Sequence, residues 1–394
     1  MGKINVLYIT QAPLGGAAFS LCNMIRSLSD KVNPVVLLPD KGEVYDLFAS
    51  CGIRCIIHPF RCNIREKSSL NHYLRYVPHL VRDWYYNRIC INYVCKNIEN
   101  SGGGGGGGKI DLVHSNSSVF TIGVGLARKL GAKHVWHIRE FQDLDFGIQP
   151  FCGWKRLKKM IWQADAVVAI TAAVYRHWEL DNANRSFWIW DAVRSEADKA
   201  YQKEKGYYFF FCAAMLTDAK GTDMAIRAFS LSGLAKEGYK LILAGKVTKD
   251  CRKCYDRLAH SLGVQGSVEF VGFCHEVKSW MERATAFLMC SKSEGLGRVT
   301  VESMFYGCPV IARKSGGTKE LLKDGKTGLL FTDENGCAKA MQVAAKTDMQ
   351  TMILAAQKYA VENFSEEKYG VHIINLYKEI LKNLRTEKQQ NSLM

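Results

Sequence analysis

The stretch from Ser291 to Glu302, SKSEGLGRVTVE, decides how the chain is read. Upstream of it, Ala286–Met289 is a short apolar run ended by turn residues, the pattern of a buried strand. Downstream, the pattern predicts a helix beginning near Arg298 or Val299. Between them lies a turn carrying Gly295, Leu296 and Gly297, and the two glycines let a backbone approach a ligand closely. Amides at such a helix start point at an incoming anion, and the helix dipole favours it, so the backbone of Arg298, Val299 and Thr300 reads as a phosphate site. Glu294 lies in the loop and Glu302 lies in the helix, so both can face one crevice. Carboxylates accept hydrogen bonds from hydroxyls, which is what a sugar and a ribose present.

Working outward, short apolar runs alternate with helical stretches, which predicts parallel sheets covered by helices. The first series is Ile4–Ile9, 35–38, Arg54–Ile57, 110–114, 134–138, 166–170 and 187–190. The second is 208–213, 240–244, 268–271, Ala286–Met289, 309–312 and 328–331. These runs are continuous in Val, Ile and Leu, as strands buried on both faces require. The polar interval from Arg194 to Lys205 reads as a linker. The expected division is residues 1–193 and 194–364, two doubly wound domains, and 365–394, a helix with a polar tail, disordered from Thr386 to Met394. The Gly102–Gly108 run follows no strand and opens no helix, so it reads as a flexible connector and not as a phosphate loop.

At 394 residues and 47% hydrophobic composition, the chain is long and apolar enough for two cores. No run approaches the roughly 20 apolar residues that cross a bilayer, and Ile4–Ile9 meets turn residues too early for a signal peptide. Met1-Gly2 lacks the Ser or Thr of a myristoylation signal. A cytoplasmic protein with reduced thiols is expected from 14 cysteines without an export signal. Cys251 and Cys254 have metal-like spacing, but no second pair stands near to complete a zinc site. The net charge of +15 implies an anionic partner, which nucleic acid, acidic lipid or a diphosphate could each supply. No nucleic-acid-binding signature accompanies the charge.

Glu294 and Glu302, with seven residues between them, resemble the paired glutamates of the family 4 glycosyltransferases, and the run from Glu294 to Phe331 is similar to that family almost throughout. Leu14-Gly15-Gly16-Ala17 resembles its N-terminal glycine loop, Asp111 to Ser115 an acceptor-side strand end, and Lys220-Gly221 its donor-phosphate lysine. Val268 to Phe273 resembles the strand before its base pocket, and Phe364-Ser365 through Tyr377 its returning helix. The resemblance implies an α/β chain of GT-B fold, with two Rossmann-like doubly wound domains facing a central cleft, residues 1–193 binding the acceptor and 194–364 the nucleotide sugar, and the helix of 365–394 returning to the N-terminal domain. It implies a retaining hexosyltransferase that needs no metal or other cofactor, with a nucleotide-sugar donor, uridine being the commonest base and guanosine the next. Glu302 would take the ribose and Glu294 the donor sugar, while Lys220 and the amides near Arg298 hold the diphosphate. Gly16 and Phe273 would complete the donor site. Retention is ascribed to front-face attack, so no protein nucleophile is sought.

One position departs from the family. Where an arginine usually stands five residues before the lysine, this chain has Met215. Arg298 is expected to supply the missing charge, and Lys246 after it.

On the acceptor side, His137, Arg139 and Glu140 follow a strand and are expected, with Ser115, to face the substrate, with His137 catalytic. Asp143 and Asp145 form an Asp-x-Asp, which two carboxylates alone do not make into a metal site. Residues 61–96 mix Arg and Lys with Tyr73, Tyr76, Trp84, Tyr85 and Tyr86, and 154–162 adds Lys155, Arg156, Lys158 and Lys159. Such surfaces suit the inner face of an anionic membrane and a glycan or lipid-linked acceptor in cell-envelope polysaccharide or glycolipid synthesis. Two alternatives remain open: a nucleotide-sugar epimerase of the same fold, and a non-catalytic subunit.

Overall fold

A computed structural model describes residues 2–11, 15–66, 73–100, 109–201, 205–274 and 276–391, without the side chains of 65, 66, 73–80 and 383–391. Leu14, Gly102–Gly108 and the side chains of Tyr73 and Tyr76 lie outside this description.

The strands are β1 (Ile4–Ile9), β2 (Val32–Leu38), β3 (Arg54–Ile57), β4 (Arg65–Glu66), β5 (Leu112–Ser115), β6 (Lys133–Ile138), β7 (Ile148–Gln149), β8 (Ala166–Ala169), β9 (Ser186–Trp188), β10 (Tyr208–Met215), β11 (Lys240–Lys246), β12 (Val268–Gly272), β13 (Ala286–Met289), β14 (Val310–Arg313) and β15 (Leu329–Phe331). The helices are α1 (Gly16–Ser27), α2 (Glu43–Ser50), α3 (Tyr73–Asn100), α4 (Ile122–Leu130), α5 (Trp154–Trp162), α6 (Ala172–His177), α7 (Thr222–Ser232), α8 (Lys249–Ser261), α9 (Lys278–Met281), α10 (Arg298–Phe305), α11 (Thr318–Leu321), α12 (Glu334–Lys346), α13 (Gln350–Phe364) and α14 (Glu366–Asn391).

Two compact units result: Met1–Asp191 with Glu367–Met394, and Ala192–Glu366. The first holds a seven-stranded sheet of order β3-β2-β1-β5-β6-β8-β9 and the second a six-stranded sheet of order β12-β11-β10-β13-β14-β15. Every pairing described within these two sheets is parallel. The reason is visible in β10, where Phe209, Phe210 and Phe211 are all buried: neighbouring residues of a strand point to opposite faces, so helices must cover both. Phe209 and Phe211 join Phe229 of α7 and Met341 of α12 in the core of the second unit. In the first, Leu7 and Ile9 of β1 pack with Val94 of α3 and Leu126 of α4.

The strand order reverses direction between β1 and β5 in one sheet and between β10 and β13 in the other. Loops leaving the carboxyl ends of strands at such a point part from each other and leave a crevice where ligands bind.

Three details differ from the sequence reading. The antiparallel pair of β4 with β7 is two residues long on each side, too short to leave a periodic pattern. Helix α14 continues to Asn391, past the expected end near Arg385, because Glu387, Lys388 and the glutamines favour helix. The interval read as a linker belongs to the second unit: the Ala200 amide donates to Phe305 O, and Gln357 Nε2 donates to Phe305 O at 3.2 Å. The chain passes between units upstream, after Asp191.

Candidate functional site

Lys220, Glu294 and the start of α10 meet at the reversal point of the second sheet. The loop after β10 carries Lys220 and the loop after β13 carries Glu294, and Lys220 Nζ donates to Glu294 Oε1 at 2.6 Å. Close backbone contacts hold the two loops together. Lys292 N donates to Ala219 O at 2.9 Å. A Cβ on Gly221 would lie 2.2 Å from Cys290 O, so this crossing requires glycine, as does its φ of +80°. A third loop, after β14, closes against them. Gly317 N donates to Glu294 O at 2.8 Å, and a Cβ on Gly316 would stand 2.7 Å from that same oxygen.

Helix α10 opens at Gly297, whose φ is +81°. Amides of a helix's first turn commonly lack a partner within the helix, although here the Thr300 amide donates to Gly297 O at 2.9 Å. Behind Gly297 stand Thr300 Oγ1 and Thr318 Oγ1, 3.4 and 3.5 Å from where its Cβ would be. Both hydroxyls are buried and make no hydrogen bond among the described residues. Leu296, Thr300 and Glu302 are buried, while Val299 is only partly so. A glycine turn, a helix start, orphan hydroxyls and a lysine thus converge where an anion would be received.

Arg298 does not stand where the sequence reading put it. Its NH1 donates to Ala192 O at 2.9 Å and its NH2 to Val193 O at 3.2 Å. The extended backbone entering the unit presents carbonyls that a five-donor guanidinium can satisfy, and Arg298 is turned to them. The cation beside Met215 is Lys246: the two are register partners on β10 and β11, and Leu216 N donates to Lys246 O at 2.8 Å. Lys246 Nζ lies 5.3 Å from the centre of the exposed Phe273 ring.

In the first unit, Gly16 begins α1 after β1, at the reversal point of that sheet. Asn116, which the sequence did not flag, stitches the point together by donating to Ala17 O at 3.0 Å. Ser115, His137 and Arg139 are interior residues, against the expectation that they face an acceptor. Ser115 Oγ is bonded to His134 Nε2 at 2.9 Å. Arg139 pairs with Asp191 and donates to Asn116 Oδ1 at 2.6 Å. His137 packs against the His114 ring, 5.4 Å between centres, with Asp191 Oδ1 3.7 Å from its Nε2. Burial, then the neighbouring Arg139 charge, pushes the His137 pKa well below its usual value, so the ring is neutral. A buried arginine must have its carboxylate, and the returning helix and Asp191 supply the closed shell that encloses it.

Glu140 accepts from Ser117 Oγ at 2.5 Å and from Ser118 N at 2.9 Å, bracing the loop after β5. Asp143 Oδ1 lies 3.0 Å from His177 Nε2, whereas Asp145 Oδ2 accepts from Phe141 N at 2.9 Å. The two carboxylates therefore serve different local contacts. Burial pushes the Asp145 pKa up to about 6.

Helix α3 exposes Val81, Trp84, Tyr85, Tyr86 and Tyr93. Arg88 lies over the Trp84 ring at 5.4 Å and Arg61 over Tyr86 at 5.5 Å. By contrast, the aromatics of α5 turn inward: Trp154 packs on Trp178, and Trp162 Nε1 donates to Trp178 O at 3.1 Å. No helix among the described residues is long and apolar enough to cross a membrane.

Residues 193–348 match the family model described as "Glycosyl transferases group 1". An uncharacterized glycosyltransferase of Methanocaldococcus jannaschii is 26% identical over 278 residues, 69% of this chain and 76% of that protein. A Campylobacter jejuni transferase, named as an N-acetyl-D-galactosaminyltransferase acting on a PP-undecaprenol-linked glycan, is 28% identical over 187 residues, 47% of this chain and 49% of its own length. The crystal structure of Anabaena HepE in complex with UDP and glucose superposes with a TM-score of 0.74 at 18% identity, covering 95% of this chain and all of that one. The chain has the GT-B fold, and its residues 193–348 are similar to the group 1 glycosyl transferases.

Proposed function

We propose that this protein is a retaining glycosyltransferase of family 4 type, using a nucleoside diphosphate sugar, with UDP as the leading nucleotide, and extending a glycan or lipid-linked acceptor in polysaccharide or glycolipid synthesis. The observation that carries this reading is the Lys220–Glu294 pair at the reversal point, 2.6 Å apart beside the glycine-opened start of α10. Diphosphate oxygens would lie against Lys220, Lys246 and the α10 amides, the donor sugar against Glu294, and the ribose against Glu302. The bond from the anomeric carbon to the diphosphate oxygen breaks while the acceptor oxygen bonds on the same face. The acceptor proton passes to the departing phosphate oxygen. Fixed positive charge and amide dipoles stabilise the leaving group without a metal, as preorganised donors do.

The family match, the transferase names of the relatives and the UDP complex of a structural neighbour support this reading. A thermal-shift titration with UDP, GDP, ADP and their sugar conjugates, with and without EDTA, tests it. Stabilisation by one nucleotide that survives EDTA and vanishes in Glu302→Ala is expected. Silence across the panel would overturn the donor site and leave the non-catalytic reading, and interconversion of free nucleotide sugars would favour the epimerase.

The exposed α3 surface adds a second element. Aromatic rings beside arginines suit an anionic lipid interface, where a lipid-linked acceptor would be met.

A further inference from the structure

We infer that Arg194 is a positioning residue for the donor, holding the Glu302 carboxylate so that one of its oxygens is presented to the ribose hydroxyls. The inference rests on the donor site proposed above. Glu302 is only 8% exposed, and a carboxylate that deep requires a charged or hydrogen-bonding partner. Arg194 NH2 supplies it, donating to Oε1 at 3.0 Å. Arg298 NH2 stands 4.0 Å from the same oxygen, so both cations meet Oε1, and no contact among the described residues engages Oε2. One oxygen is thus tied and the other is left for a ligand, with the plane of the group set between them.

The arginine is itself held in place. Its carbonyl accepts from Glu366 N at 3.1 Å, and the preceding Val193 N donates to Phe364 O at 2.9 Å. Arg298 grips the two residues before it through the carbonyls of Ala192 and Val193. Tyr306, at the end of α10, lies beneath the guanidinium, 5.5 Å from ring centre to Cζ. Helix α10 therefore clamps the segment 192–194 with one arginine and receives the other back on Glu302. A freely rotating glutamate would lose side-chain entropy on binding two vicinal hydroxyls; a pinned one has lost it already. A lysine would supply charge without the planar fork that sets the carboxylate's orientation.

The test is calorimetric titration of the full chain with UDP, GDP and ADP, each beside its analogue lacking both ribose hydroxyls. The wild type should favour the intact ribose by about tenfold or more, the scale of a hydrogen bond to a charged group. In Arg194→Gln the intact nucleotide should weaken about tenfold while the dideoxy form stays within about twofold. Arg194→Lys, which keeps the charge, should fall between them and covers the case in which the glutamine variant does not fold. Combining Arg194→Gln with Glu302→Gln should add nothing beyond Glu302→Gln alone, as expected of residues acting through one another. Equal weakening of both forms, or an unchanged ribose preference in both Arg194 variants, would overturn the inference while the donor site stands. A wild type that binds no nucleotide removes the donor site itself.

Discussion

The Tyr369 hydroxyl donates to Asp191 Oδ1 at 3.2 Å, joining residues 178 apart in the chain. Asp191 ends the first segment of its unit and Tyr369 lies just inside the returning segment, so this bond closes the unit on itself. The other carboxylate oxygen of Asp191 pairs with Arg139, and all three side chains are buried. Asp191→Ala should cost about 3–5 kcal/mol, because it strands a buried guanidinium. Tyr369→Phe should cost only about 1 kcal/mol, since a single neutral donor is lost. Denaturant unfolding of the two variants checks the difference, and equal losses would contradict it.

Acid should weaken the same unit. His114 and His137 are held neutral, first by burial and then by neighbouring positive charge, with Asp191 the one carboxylate that opposes this at His114. Their folded pKa values lie below the usual histidine value, so between the two values the unfolded chain binds more protons. Stability then falls as pH drops below about 6.5, by up to about 1.4 kcal/mol per pH unit for each histidine. Asp145, raised by burial to about 6, works the other way: it takes up its proton in the fold first and gains stability on acidification. Unfolding midpoints measured from pH 7.5 to 5 should decline in the wild type and decline less in His137→Gln.

The interlocked loops should tolerate no side chain at Gly221. Its Cβ would fall 2.2 Å from Cys290 O at a positive φ, whereas Gly52, also at positive φ, has nothing within 4 Å. Gly221→Ala should cost roughly 2–3 kcal/mol or more and displace Lys220 from Glu294, while Gly52→Ala should cost about 1 kcal/mol. Thermal unfolding together with nucleotide affinity separates the two.

For turnover, Lys220→Met should lower kcat about 100- to 1000-fold, as removal of a preorganised donor to a developing charge does. Lys246→Met should act in the same direction and more weakly, since Lys246 stands at the exposed edge beside Phe273. Arg298→Ala should chiefly reduce stability, because its donors are turned to the Ala192 and Val193 carbonyls. Steady-state rates measured beside unfolding midpoints sort these effects.

At the α3 surface, the combined change of Trp84 and Tyr85 to serine should leave folding intact and reduce sedimentation with anionic vesicles at low salt by about tenfold. Binding that ignores both the substitution and the salt would remove the membrane reading.

The order of strands and helices, the two-unit plan and the glycine turn before α10 were legible because they are written in local patterns. Continuous apolar runs mean strands covered on both faces, and a glycine turn between strand and helix means a backbone opened to a ligand. Glu294 could be named for the same reason, lying beside its own glycine, whereas Lys220 was named through the resemblance of Lys220-Gly221 to a family motif. The fate of Ser115, His137 and Arg139 was not legible, since whether a polar residue at a strand end faces out or in depends on what covers it. What covers it here includes Asp191 and a helix from the other end of the chain. Nor could the sequence show that Arg194 meets Glu302 across 108 residues, or that Arg298 turns to the backbone. Pattern is a property of neighbours in sequence, and it determined the fold; the partner of a buried charge is a property of neighbours in space, and only the tertiary structure decided it.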